Sequence, residues 1–249
     1  MSATAAIPSR YELKYLLTER QAVSVREYLW PHVVPDEHSP SDPTDGYTIS
    51  SLYLDSSTRL VYRQAIEGHS HRFKLRLRFY DNEPESLVFA EIKRRVTRVV
   101  VKDRAAVSRE VARQLASDYS GWPDAGTTES AERADSESAL AEFVRLRDHI
   151  RATGVLSVSY MREAYVSTRG DYARITFDRD VRGNVHQRDE PLLLPIGGLA
   201  PLPGKVVLEL KFNDRCPSWM LDLVRHFHLE RTSVAKYVLC LQAAGLAPN

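Results

Sequence analysis

The segment His71–Tyr80, reading HRFKLRLRFY, constrains this chain more than any other. Successive side chains of a β-strand point to opposite faces. A strand here therefore places Arg72, Lys74, Arg76 and Arg78 on one face and Phe73, Leu75, Leu77 and Phe79 on the other. Four cations in register repel one another, so the face needs a counter-anion: carboxylates across the sheet, bulk ions or a ligand. The same period of two recurs along the chain. Arg10, Glu12 and Lys14 share a face, as do Phe89, Glu91 and Lys93, and Arg98, Lys102 and Arg104. So do Tyr160 and Arg162, then Arg174, Thr176 and Asp178, then Val207, Glu209 and Lys211. For any one strand the simpler reading is a solvated polar face over an apolar core. Recurrence over six or seven strands, with Arg dominant and only isolated Glu, favours a shared basic lumen, because Arg suits bidentate phosphate binding. A closed sheet would gather these faces inside and leave its apolar faces outward for helices to cover.

Composition limits how such a site can arise. The 249 residues carry a formal net charge of only +1, so a positive site must come from local placement. A generic nucleic-acid binder would be more basic, and none is expected here as a partner. Two cysteines, Cys216 and Cys240, have no ligand spacing, which argues against zinc and against a disulfide framework, and points to a reducing, cytoplasmic location. No signal peptide is read at the N-terminus, and no apolar run approaches the roughly 20 residues of a spanning helix.

The pattern predicts strands at Arg10–Leu17, Tyr47–Leu54, His71–Tyr80, Leu87–Val96, Arg98–Val107, Val155–Ser167, Tyr172–Val181 and Lys205–Phe212. Helices are expected after Thr18, at Leu60–Ile66, after Ser108, at Ala139–Arg151, Pro217–Leu229 and Val234–Ala244. Pro31–Gly46 reads as a loop, residues 118–138 as a mobile surface loop, and residues 1–9 as a tail. Many strands with little βαβ alternation indicate an α+β domain over residues 10–244 built on a mostly antiparallel sheet or barrel.

The segments RYELKYLL, YTISSLYLDS, YRQAIEGHSHRFKLRLRFYD, VFAEIKRRV, LSVSYMREAYVS, RITFDRDV, VLELKFN and SVAKYVLCL, in that order, resemble the VTC domain. This is the polyphosphate polymerase module of vacuolar transporter chaperone complexes, in the triphosphate tunnel metalloenzyme (CYTH-like) superfamily. The resemblance implies an antiparallel eight-stranded β-barrel with peripheral helices, whose tunnel binds triphosphate or polyphosphate. It implies phosphate-binding roles for Lys14, Lys74, Arg76, Arg78, Lys93, Lys102, Arg162, Arg174 and Lys236. Glu209 in LELK resembles the metal-binding glutamate, with Glu91 or Glu12 beside it, for Mn²⁺ or Mg²⁺. Catalytic members often have Ser before the last lysine; here it is Ala235, with Ser233 two residues earlier. No SPX domain or membrane segment accompanies the chain, so a regulatory or membrane partner would have to be a separate protein.

The implied activity is transfer of the γ-phosphate of ATP to a polyphosphate chain. The alternatives are a tripolyphosphatase or nucleoside triphosphatase, with water as acceptor, and a non-catalytic polyphosphate- or inositol-phosphate-binding module. Carboxylates among many cations stay ionised, which suits metal ligation. Tyr53 and Tyr160 read first as strand packing, Asp55 and Ser56 as a helix cap, and Ser233 as a cap of the last helix.

Overall fold

The structure, a computed structural model, describes residues 10–97, 99–118, 133–170, 172–188 and 190–248, with the side chains at 10 and 133–135 left out. Its strands are β1 (Arg10–Thr18), β2 (Val33–Pro35), β3 (Tyr47–Asp55), β4 (His71–Phe79) and β5 (Val88–Val96). They continue with β6 (Val99–Val107), β7 (Thr153–Ser167), β8 (Arg174–Val185) and β9 (Lys205–Asn213). The helices are α1 (Glu19–Leu29), α2 (Leu60–Ile66), α3 (Arg109–Ala116), α4 (Arg133–His149), α5 (Ser218–His226) and α6 (Lys236–Ala243).

All strand pairs are antiparallel, in the order β1-β9-β8-β7-β3-β4-β5-β6, with β2 paired to β7 off this path. The sheet thus has nine strands where eight were expected. The extra strand, β2, lies within Pro31–Gly46, read from sequence as a loop because its prolines mask three residues that pair with Val166 and its neighbours. The expected barrel closure also needs correction: the hydrogen-bonded ladder ends at β1 and β6. The sheet nevertheless curls until these two end strands approach within 8 Å, Cα to Cα. The loop expected at 118–138 is corrected at its C-terminal end, where residues 133–138 belong to α4. Residues 119–132, the tail 1–9 and Arg98 lie outside the described residues.

Local chemistry explains several boundaries. Thr18 caps α1 in a capping box, its hydroxyl accepting from the Gln21 N–H at 3.3 Å. Asp55 holds the start of α2, accepting from the backbone N–H of Val61 at 2.9 Å and of Tyr62 at 3.0 Å, while Ser56 Oγ accepts from Leu60. Ser233 does not cap α6: the N-cap position is Ala235, which offers no side-chain cap.

The apolar strand faces point outward and are covered. Leu75, Leu77, Val88, Ala90 and Ile92 pack under α3 and α4 with Val111, Leu115 and Phe143. Tyr15, Leu17, Ile175, Phe177, Leu208 and Leu210 pack under α1 and α5 with Val25, Leu29, Trp219 and Leu223. Burying these side chains supplies about 1.5–3 kcal/mol each, which lets the opposite face be given over to charge. Helix α6 differs from the others. Tyr237, Val238 and Leu241 pack with Tyr53, Tyr160, Val181 and Val207, and Tyr53, Tyr160 and Val207 share the inner, charged face. Helix α6 therefore closes one end of the inner surface.

Candidate polyanion site

The inner face is built from two carboxylate-centred clusters. In the first, Glu91 of β5 is completely buried and meets cations from two neighbouring strands. Arg76 Nε donates to it at 2.7 Å, Lys102 Nζ lies at 2.6 Å, Arg104 Nε at 3.3 Å and Arg78 Nη1 at 3.8 Å. Arg76 also reaches the Tyr53 hydroxyl at 3.3 Å, and Arg78 reaches Ser51 Oγ at 3.2 Å and the Tyr160 hydroxyl at 3.3 Å. These contacts follow from register, since Arg76 lies opposite both Tyr53 and Glu91, and Glu91 opposite Arg104.

The second cluster surrounds Glu209 of β9. Lys14 of β1 lies 2.8 Å away, Lys211 2.7 Å, Lys236 of α6 3.0 Å and Arg162 of β7 3.5 Å. Arg162 binds Asp178 of β8 in a bidentate pair at 2.7 and 2.8 Å, and Lys236 contacts the same carboxylate at 2.5 Å. Glu12 joins the two clusters: it accepts from Lys93 of β5 at 2.8 Å and lies 3.0 Å from Lys14. The Glu12–Lys93 contact spans the gap between the two ends of the sheet. Arg174 sits toward the end away from α6, near Asp36 at 3.1 Å and the Tyr47 hydroxyl at 3.4 Å.

The electrostatics are lopsided. Burial raises the carboxyl pKa of Glu91, but Arg76, Arg78 and Lys102 more than reverse this and hold it well below the usual range. Burial likewise opposes ionisation of Glu209, and Lys14, Lys211, Lys236 and Arg162 overcome it. Glu12 and Asp178 are lowered in the same way, the first by Lys93 and Lys14, the second by Arg162 and Lys236. All four carboxylates are therefore charged at neutral pH. The cations still exceed them. Lys74, Lys93 and Lys102 lie side by side across β4, β5 and β6, a row of like charges. Among the described residues, no carboxylate pairs with Lys74. Burial pushes Lys74, Lys102 and Lys211 down to about 8, with Lys93, Lys14 and Arg76 adding to the effect at Lys74. Arg174 Nε is buried without a hydrogen-bond partner. Unpaired buried donors are costly, and a polyanion would satisfy them.

The nine cations and three glutamates picked from sequence thus all come to this face. Sequence reasoning left out residues that the structure adds to it, Arg104 beside Glu91 among them. Asp178 and Lys211 were on the right strand faces, and parity alone could have nominated them. Tyr53 and Tyr160, read as packing, also offer their hydroxyls to Arg76 and Arg78. Arg94, next to Lys93 in β5, faces outward, where it binds Asp103 and, at 2.6 Å, Glu142 of α4.

A divalent ion is implied by the family, and the donor set bears on it. Among the described residues no group of three His, Cys, Asp or Glu is placed to hold a metal. Glu12 and Glu209, ionised oxygen donors on either side of Lys14, do fit the way Mg²⁺ is usually bound, through one or two carboxylates with phosphate oxygens completing the shell. Glu91, which like Glu209 meets four cations, lies in the other cluster, completely buried and apart from this pair.

A curled antiparallel sheet whose inner face carries excess Arg and Lys defines an anion-binding module. The chain belongs to the VTC domain family, which matches residues 9–244. No curated protein matches it. Among solved structures it is similar to a Bacillus halodurans protein given a provisional adenylate cyclase name, at 12% identity and a TM-score of 0.46, covering 91% of this chain and 95% of that one. It is also similar to the PH1819 protein of Pyrococcus horikoshii OT3, at 13% identity and a TM-score of 0.46, covering 94% and 99%. No helix among the described residues is long and apolar enough to cross a membrane.

Proposed function

We propose that this protein is a phosphoryl transferase that moves the γ-phosphate of ATP onto the end of a polyphosphate chain held in a tunnel formed by the curled sheet. The observation that carries this reading is the charge excess on the inner face, centred on Lys74, which has no carboxylate partner among the described residues, and on the buried Nε of Arg174, which finds no hydrogen-bond acceptor among them. A linear phosphate chain supplies negative charge at regular intervals along such a groove.

Arg76, Arg78 and Arg162 offer planar guanidinium groups for bidentate phosphate contacts, and Lys14, Lys74, Lys93, Lys102, Arg174 and Lys236 supply further charge along the groove. Glu12 and Glu209 would hold Mn²⁺ or Mg²⁺, which would neutralise charge on the transferring group when bound. Glu91 serves as the counter-ion that keeps Arg76 and Arg78 oriented. In the transfer the γ-phosphorus bond to the ADP oxygen breaks, a bond to the terminal polyphosphate oxygen forms, and ADP leaves. The protein's contribution is alignment and charge neutralisation, the two things phosphoryl transfer chiefly requires.

The test is product analysis after incubation with ATP and Mn²⁺, alongside Arg76→Ala. Long chains made by the wild type and not by the variant support the reading. Orthophosphate alone would make the protein a triphosphatase. Tight, salt-sensitive tripolyphosphate binding without turnover would make it a binding module. Identical products from wild type and variant would remove the site from the reaction altogether.

A further inference from the structure

Phe89 is out of place by packing logic. The chain has seven phenylalanines, and six belong to or pack against one of the three apolar clusters; Phe89 belongs to none. Its position in β5 puts it on the inner face with Glu91 and Lys93, half-buried among charges. The Arg104 guanidinium lies over its ring, 3.5 Å from the centroid. The Tyr80 ring meets it edge-on at 6.0 Å, and the Tyr80 hydroxyl accepts from Arg104 at 3.2 Å. Arg104 is further held by Glu91 at 3.3 Å, yet its side chain remains 37% exposed. The guanidinium is thus held over an aromatic ring while still reachable from solvent.

The location is equally specific. Phe89 lies directly opposite Arg78 in the β4–β5 register, and residues directly opposite have Cβ atoms only about 5 Å apart. Because β3, β4 and β5 are antiparallel, Tyr80 after β4 and Phe89 near the start of β5 lie at one end of the sheet. Helix α6, stacked through Tyr237 on Tyr53 at 4.8 Å, occupies the other.

We propose that Arg104 stacked on Phe89, with Tyr80 beside them, forms a nucleobase subsite at the open end of the groove, placing the base of a nucleoside triphosphate next to the arginines that grip its phosphates. Aromatic rings and guanidinium planes stack on any base face, so the subsite favours a nucleotide over free tripolyphosphate without selecting a particular base. This rests on the phosphate-binding reading of the groove and adds the nucleoside to it.

The experiment measures affinities for ATP and for inorganic tripolyphosphate, both with Mg²⁺, in wild type, Phe89→Ala and Phe89→Tyr. Loss of one stacking platform predicts about a tenfold loss of ATP affinity in Phe89→Ala, unchanged tripolyphosphate affinity, and recovery of ATP binding in Phe89→Tyr. An equal fall for both ligands, or no change for ATP, overturns the subsite while leaving the phosphate site standing. If the wild type binds neither ligand, the phosphate-binding reading fails, and the subsite with it.

Discussion

Two buried glutamates on opposite faces of the same sheet show what separates a structural ion cluster from a site. Glu163, on the outer face of β7, is 1% exposed. It binds Arg26 of α1 through both oxygens, Arg179 of β8 at 2.6 Å and the Tyr165 hydroxyl at 2.7 Å, and Glu19 shares Arg179 at 2.9 Å. Two cations face two carboxylates, and the cluster is balanced. Glu209, on the inner face, faces Lys14, Arg162, Lys211 and Lys236, with only Glu12 and Asp178 to share them. The outer cluster clamps α1 to the sheet. The inner one leaves charge unmet, and charge left unmet in a partly dry groove marks a place for a ligand.

The comparison can be broken by experiment. The largest expected effect is on the outer face: Glu163→Gln removes the buried carboxylate shared by two half-buried guanidinium groups and should cost about 3 kcal/mol of stability, read as a lowered melting temperature, with tripolyphosphate affinity unchanged. A loss of affinity there would erase the distinction between the faces. Next, Glu209→Gln should reduce metal-dependent turnover by about a hundredfold while tripolyphosphate binding is kept or strengthened, because the substitution removes negative charge from the groove. Weaker binding would show that Glu209 orients the lysines more than it competes with the ligand.

The third effect is on pH dependence. Lys74, Lys102 and Lys211 are held near 8 in the free protein by burial, and the ligand binds their protonated forms. Affinity for tripolyphosphate should therefore be full below pH 7 and fall as pH rises through about 8, by roughly tenfold per unit for each lysine that must be reprotonated. Titration calorimetry at several pH values would read it, and a flat profile up to pH 9.5 would contradict the assignment. The smallest effect is Lys74→Met. Removing a cation that pairs with no carboxylate among the described residues should stabilise the free protein by about 1 kcal/mol while weakening tripolyphosphate binding, whereas Arg26→Met on the balanced outer face should destabilise.

Much of this was legible beforehand. Alternation in HRFKLRLRFY and its counterparts marked which side chains share a face, because strand geometry alone sets that period. Thr18 and Asp55 announced their helices through local hydrogen bonding. What escaped was whatever depends on partners far along the chain. Strand β2 was hidden because its three residues have meaning only against β7, and residues 133–138 looked like loop because a polar helical turn has no apolar signature of its own. Tyr53 and Tyr160 read as packing and are packing, but their hydroxyls meet arginines contributed by β4.

The residues of the basic face were thus determined by sequence: which positions carry charge, and on which side of each strand. Only the tertiary structure decided which charges cancel. Sheet order placed Glu91 among Arg76, Arg78, Lys102 and Arg104, and set Lys74 at the end of a row with Lys93 and Lys102. Curling brought Glu12 to Lys93 across the ends of the sheet. The reason is physical: periodicity is local, whereas charge compensation depends on distances between strands that are distant in sequence and meet only when the sheet has formed.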